Sequence, residues 1–247
     1  MKQLIITLCA AATLFAISPA FAQADTQFAK ANEEYSAGHF QEAVDGYETV
    51  VRAGQRNATL FYDLGNAYFR TGDFGHAILN YERALVLEPR QPEADANLRI
   101  ARNEARALEL AVNPPERSLR LMTTNQYTIA AAIAFWIGVF GIVILISARR
   151  RSLGLIALSI LSWSIFAFAV AAIVWLDNGN KGSALAIVTD QGVEARVATA
   201  ETANKVLTLP PGSEIKIVSQ RGDWIYAMLP NNLRGWISAK SAEKVRL

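Results

Sequence analysis

Residues 60–89, LFYDLGNAYFRTGDFGHAILNYERALVLEP, decide the fold of the first part of this chain. Small and aromatic side chains stand in them where two antiparallel helices must interlock. Gly65 lets the helices approach, while Tyr68, Phe74 and Tyr81 fill the space between them. Ala77 and Ala84 keep the crossing tight, and Pro89, which lacks an N–H and clashes with the preceding turn, stops the second helix. A helical hairpin of this kind serves to hold something.

The same spacing recurs about 34 residues earlier, with Ala31 for Gly65, Asn32 for Asn66, Gly38 for Gly72, Phe40 for Phe74, Ala43 for Ala77 and Tyr47 for Tyr81. Two units in register at this period resemble the tetratricopeptide (TPR) repeat, which implies an all-α solenoid over residues 23–111. The earlier copy departs from the pattern at Glu34 and Val50, where Tyr68 and Ala84 stand in the later one, so looser packing is expected there. Residues 92–111 carry Leu98, Ala101, Ala105 and Leu108 at helical spacing and predict a capping helix over the open end of the stack. Asn113, Pro114 and Pro115 end it and begin a linker over residues 112–126.

Of the 247 residues, 52% are apolar, and they are concentrated rather than spread, which points to membrane segments. Residues 1–22 read as a secretory signal: Lys2 supplies the charge, residues 4–17 the apolar stretch, and Ala20, Phe21 and Ala22 the small-x-small cleavage site. The only cysteine, Cys9, lies inside that segment after Leu8, unlike a lipoprotein signal. The mature chain would therefore have no disulfide, thiolate metal site or thiol nucleophile. The net charge of +2 divides into fifteen acidic and eleven basic residues over 23–125 and seven acidic and nine basic over 177–247. Neither part has the concentrated basic face that nucleic acid requires, so no nucleic acid partner is expected.

Residues 127–147 and 153–176 are each long enough to cross about 30 Å of hydrocarbon, and neither contains Asp, Glu, Lys, Arg or His. They predict a two-helix transmembrane hairpin; the competing reading is a buried helical hairpin of a soluble protein. The loop 148–152 contains Arg149, Arg150 and Arg151, which favour the cytoplasmic side and leave both soluble parts facing outward. Ala130, Ala134 and Gly138 form a smooth stripe for close helix approach. With only hydroxyl groups at membrane depth, the spans read as anchors rather than as a transport path.

From residue 183 the pattern changes to short alternating apolar runs at 184–188, 205–209, 214–218 and 224–228, parted by Pro210, Pro211 and Gly212 and by Arg221, Gly222 and Asp223. The run closes on Arg234, Gly235, Trp236 and Ile237, which resembles the ending of bacterial SH3-like domains and implies a small all-β barrel over residues 183–247. Trp224, Tyr226 and Trp236 are candidates for a shallow groove, against the blander reading that at least two of the three are core.

No phosphate-cradling loop, nucleophile elbow or paired metal-spaced histidines are present, so no enzyme, cofactor or metal is expected. His39 and His76 sit near turns, and Glu33, Glu34, Glu42, Asp45 and Glu48 read as a solvated helix surface. The TPR resemblance implies a concave groove for an extended peptide or a partner's helix, assigned to Asn32, Tyr35, Phe61, Asn66 and Phe69. Asn32 and Asn66 resemble the asparagines with which some TPR domains hold a peptide, and Arg99 and Arg102 would add charge.

The order of signal, two TPR units, two spans with an arginine loop and an SH3-like barrel resembles the BatE-like proteins of bacterial aerotolerance (Bat) operons. That resemblance covers the whole chain through its architecture. It implies a multidomain, multi-pass inner-membrane protein with both soluble domains periplasmic: a non-enzymatic scaffold for protein partners, associated with MoxR-type ATPases and von Willebrand A-domain membrane proteins. The alternative is a cell-wall sensor or tether whose barrel grips peptidoglycan.

Overall fold

The computed structural model describes residues 19–147 and 152–247. The greater part of the expected signal, residues 1–18, and the cluster Arg149, Arg150 and Arg151 lie outside the described residues. The described residues form two compact units, the first running to Ala107 and the second comprising most of the residues from Leu108 on.

The first unit is a helical repeat: α1 (Pro19–Ala37), α2 (Phe40–Arg52), α3 (Ala58–Thr71), α4 (Phe74–Leu87) and α5 (Pro92–Ala105). Its helix ends follow from local chemistry. The Asn57 side chain accepts from Leu60 N at 2.8 Å to cap α3, and Asp73 accepts from His76 N at 3.1 Å to cap α4. Between them Gly72, at φ 84°, takes the left-handed conformation that turns the chain back.

Leu60, Leu64, Ala67, Ala77, Ile78, Tyr81 and Ala84 are buried between α3 and α4 and their neighbours, each large apolar side chain contributing about 1.5–3 kcal/mol. A Cβ on Gly65 would stand 2.8 Å from the Tyr81 ring, so the sequence reading of this glycine as the contact point holds. In the first helix pair the roles are exchanged: Ala31 takes the glycine's place, and Gly46 on α2 leaves room for it, its own Cβ position lying 2.8 Å from Ala31 Cβ. The looser packing expected at Val50 is not found, because Val50 is buried. The second departure, Glu34, is satisfied by His39 Nδ1 at 2.8 Å.

Helix α5 buries Leu98 and Ala101 as its spacing predicts, and Ala94 as well, but ends at Ala105, with Arg106 in the left-handed region at φ 51°. The expected helical continuation to residue 111 is replaced by extended chain. Leu108 packs on the core of the β-sheet in the second unit, where its carbonyl accepts from Glu214 N at 2.8 Å and its N–H donates to Ser213 Oγ at 3.1 Å. Pairing with strand backbone satisfies polar groups that one further helical turn would have satisfied internally.

The second unit contains the short helix α6 (Pro114–Leu119), two long helices α7 (Thr124–Ser147) and α8 (Leu153–Asn178), and seven strands. By length and composition, α7 and α8 are apolar enough to cross a membrane. They pack on each other through Ala131, Ala134, Gly138 and Gly141 of α7 and Ser159, Ser162, Ala169 and Ala172 of α8. The small-residue stripe is therefore present, with Ala131 rather than Ala130 on the contact face. Ser159 donates to Leu155 O at 2.9 Å, keeping its hydroxyl satisfied within the helix. Trp136, Phe140, Leu161, Phe168 and Trp175 remain exposed on the outside of the hairpin.

At the foot of the hairpin the Glu116 carboxylate, 1% exposed, accepts from Asn180 N at 3.1 Å, Lys181 N at 3.2 Å and the Arg120 guanidinium at 2.9 Å. Lys181 Nζ in turn donates to Glu214 Oε1 at 2.9 Å, and Glu214 Oε2 accepts from Leu110 N at 3.0 Å. These contacts tie the segment before α7, the segment after α8 and the sheet together.

The sheet is antiparallel throughout and consists of β1 (Leu185–Val188), β2 (Val193–Arg196), β3 (Lys205–Leu209), β4 (Glu214–Arg221), β5 (Trp224–Met228), β6 (Arg234–Ser238) and β7 (Ala242–Lys244), in the order β3-β2-β6-β5-β4-β1-β7. The barrel expected from the strand spacing is not closed: among the described residues β3 and β7 are the end strands of one open sheet. Strand β2 meets β6 only at Arg196 opposite Trp236, and register shifts at 195/196 and 217/219 bend the sheet without joining its edges. Ala186, Val188, Ala195, Leu209, Ile215, Ile225, Ala227 and Ile237 form its core.

Candidate protein-binding groove

The repeat offset that pairs α1 with α3 also builds a ladder of polar contacts. Tyr47 Oη on α2 donates to Asn32 Oδ1 on α1 at 2.6 Å, and 34 residues later Tyr81 Oη on α4 donates to Asn66 Oδ1 on α3 at 2.8 Å. Asn97 on α5 extends the second rung, its Nδ2 donating to Asn66 Oδ1 at 2.9 Å and to Tyr62 Oη at 3.4 Å. Both asparagine oxygens are thus engaged inside the protein. Their orientation is set before any ligand arrives, which lowers the entropic cost of binding.

Around the second rung lies a cleft of about 200 Å³ lined by Tyr35, Asn66 and Phe69, three of the residues expected from sequence, together with Tyr81, Arg70, Asn97 and Ile100. The Arg70 guanidinium stands 4.1 Å above the Phe40 ring, and Tyr35 meets the same ring edge-on with centroids 5.3 Å apart. Phe69 leans on Phe74 at 5.5 Å. The cleft therefore combines aromatic walls, one guanidinium and fixed amide groups, a combination suited to an extended peptide.

The remaining expected residues lie elsewhere. Phe61 is 2% exposed and packs with Ala84 and Ala94, so it is core. Arg102 is held by Glu82 on α4, and Arg99 pairs with Asp95 on the outside of α5 at 3.3 Å. Neither arginine lines the cleft. Asn32 belongs to the first rung, on the Tyr47 side. Sequence reasoning missed Arg70, Asn97 and Ile100, although Arg70 follows Asn66 by one helical turn and was available from the helical period alone.

Burial raises the Tyr47 and Tyr81 phenols above their usual range, so both remain hydroxyl donors at physiological pH. Asp63, on α3, is half-buried, and burial pushes its carboxyl up to about 6. Among the described residues no group of three or more His, Cys, Asp or Glu is arranged to hold a metal.

On the sheet, Trp224, Tyr226 and Trp236 all occupy the face opposite the core, alternating with buried Ile225, Ala227 and Ile237. Tyr226 pairs across strands with Trp236, ring centroids 5.0 Å apart, and Trp224 pairs with Ser238. The expectation that two of the three would be core is corrected by this alternation, in which all three are only half-buried.

The first unit is thus a helical repeat whose second hairpin carries this cleft. Residues 58–91, spanning α3, α4 and the turn after them, match the family model of the tetratricopeptide repeat. No curated protein matches the chain. The repeat points to protein partners.

Proposed function

We propose that the chain is a non-enzymatic membrane scaffold that captures a protein partner in the cleft between α1, α3 and α5. The observation that carries this reading is the Asn66 rung. A buried tyrosine and a second asparagine fix its amide at the wall of an aromatic cleft open to solvent. The exposed apolar surface of the α7–α8 hairpin and the lack of Asp, Glu, Lys, Arg and His over residues 127–147 and 153–176 support an anchoring role. The arginine-rich loop favours a topology with both soluble parts outside the cytoplasm, at the bacterial inner membrane. The BatE-like resemblance supports other Bat membrane proteins as the partners.

A photo-crosslinking residue placed at Tyr35 or Ile100 in intact cells tests this. Capture of a defined partner from these positions, and none from the exposed Arg99, is the expected result; equal labelling from all three positions removes the groove as the binding site. For the topology, tags at both ends of the mature chain should be digested by protease added to spheroplasts, and protection of either tag refutes it.

A second reading rests on the outer face of the sheet. Trp224, Tyr226 and Trp236, flanked by Arg196 and Arg234, present flat aromatic surface beside cations, a setting for cell-wall glycan or its acidic peptides. Co-sedimentation of the full chain with peptidoglycan, lost in Trp236→Ala, is what this tether reading expects. An unchanged pellet in that variant, or none with the wild type, ends it.

A further inference from the structure

We propose that Asp63 is a recognition site for a cation, the ammonium or guanidinium of a basic segment of the partner protein lying in the repeat groove. This rests on the reading of the groove as a peptide site and adds the chemistry of what enters it.

The repeat period places the site. Asn97 stands 34 residues after Asp63, and Asn66 stands 34 residues after Asn32. Asn97 reaches back from α5 to donate to Asn66 Oδ1 at 2.9 Å. Asp63 holds the corresponding position one repeat earlier, beside the Asn32–Tyr47 rung, and after burial its charge is the next influence on the Tyr47 phenol. An amide can donate to the asparagine of the preceding helix, whereas an ionised carboxylate offers acceptors only. Asp63 therefore cannot repeat the Asn97 contact in its charged form.

Among the described residues no hydrogen bond or ion pair reaches the Asp63 carboxylate, and burial is the sole influence on its titration. Arg102, Glu48 and Arg70, by contrast, are each matched or stacked. Arg102 is bound to Glu82, Glu48 accepts from Arg52 at 2.9 Å and from the Tyr68 hydroxyl, and Arg70 lies over Phe40. A half-buried carboxylate without a donor costs free energy that a neutral ligand group does not fully recover and that an incoming cation does.

The test uses the full chain in detergent and a library of randomised heptapeptides, acetylated and amidated so that their ends carry no charge. Wild-type protein is expected to enrich Lys or Arg at one position. Asp63→Glu should keep that preference, and Asp63→Asn should lose it while preferences at other positions persist. For a selected peptide at pH 7.5, Asp63→Asn should raise the Kd by about tenfold, or about 1.4 kcal/mol. Thermal unfolding of the variant checks that it is folded. Selection of peptides without a basic position, or an intact Lys/Arg preference in Asp63→Asn, overturns the assignment of Asp63 and leaves the groove reading standing. Enrichment of no sequence by the wild type overturns both.

Discussion

Tyr81 on α4 donates its phenolic proton to Asn66 Oδ1 on α3 at 2.8 Å, and Tyr47 on α2 repeats this contact to Asn32 at 2.6 Å one repeat earlier. Each bond joins the second helix of a hairpin to the first, and the Asn66–Tyr81 bond does so at the wall of the cleft. They differ in reserve: Asn66 also accepts from Asn97, whereas among the described residues Asn32 Oδ1 accepts from Tyr47 alone. Tyr81→Phe is therefore expected to cost about 1 kcal/mol and Tyr47→Phe about 1–2 kcal/mol. Denaturant unfolding of the two variants measures the order, and a smaller loss for Tyr47→Phe would show that the ladder does not work as drawn.

The crossing of α3 and α4 depends on a missing side chain. A Cβ on Gly65 would stand 2.8 Å from Cδ1 and Cε1 of Tyr81 and 3.3 Å from Ala77 O. Since Tyr81 is 1% exposed, its ring has little room to withdraw. Gly65→Ala should destabilise the repeat by about 1–3 kcal/mol through overpacking. Gly72→Ala meets no neighbour within 4 Å but forces a side chain into φ 84°, for which the expected cost is about 1 kcal/mol. The circular dichroism melting curves of both variants would report the order.

Asp63 makes stability depend on pH in a defined direction. Burial raises its carboxyl to about 6 in the folded chain against an unfolded value of 3.8, so the folded state holds a proton that the unfolded state has released. The stabilisation is complete below the unfolded value and is lost as pH rises from about 4 to about 6. Each pKa unit corresponds to about 1.4 kcal/mol, and partial solvation brings the observable change to about 1–2 kcal/mol. Asp63→Asn should flatten that part of the profile and be the more stable protein at pH 7.5, because its amide can donate to Asn32 as Asn97 donates to Asn66. An unaltered stability profile in the variant would contradict this.

Glu116 acts in the opposite sense. Burial pushes its carboxyl up, but the Arg120 guanidinium and the N–H groups of Lys181 and Asn180 outweigh burial and hold it below its ordinary value. Its contribution is present above the usual carboxyl range and disappears as pH falls through the lowered folded value. Glu116→Ala strips one buried and one half-buried N–H group of their acceptor and should cost about 3 kcal/mol. Limited proteolysis of the full chain, read at the segments around residues 108–120 and 177–183, would show whether this tie loosens; unchanged cleavage would mean that it holds nothing.

Much of the helical part can be read without coordinates because its determinants are local and periodic. Gly65 against Tyr81 and the stop at Pro89 both act within one hairpin, and the 34-residue offset carries the same reading to α1 and α2. The apolar lengths of α7 and α8 are likewise visible as composition.

What eluded that reading depends on partners distant in sequence. Leu108 fits the helical spacing of α5 yet goes to the sheet, because the backbone of Glu214, more than a hundred residues away, offers it a strand-like partner. Arg102 looked like a groove cation until Glu82 claimed it, and Trp224, Tyr226 and Trp236 fit either face of a strand until neighbouring register put all three outside.

The residue sequence by itself determined the α3–α4 hairpin, its crossing at Gly65 and its stop before Pro89, since close approach and helix breaking operate over a few turns. Only tertiary structure decided that the seven strands form an open sheet, that Asn32 and Asn66 are held by tyrosines, and that Asp63 meets no donor among the described residues. These outcomes depend on which distant groups meet, and burial gives each meeting its energetic weight.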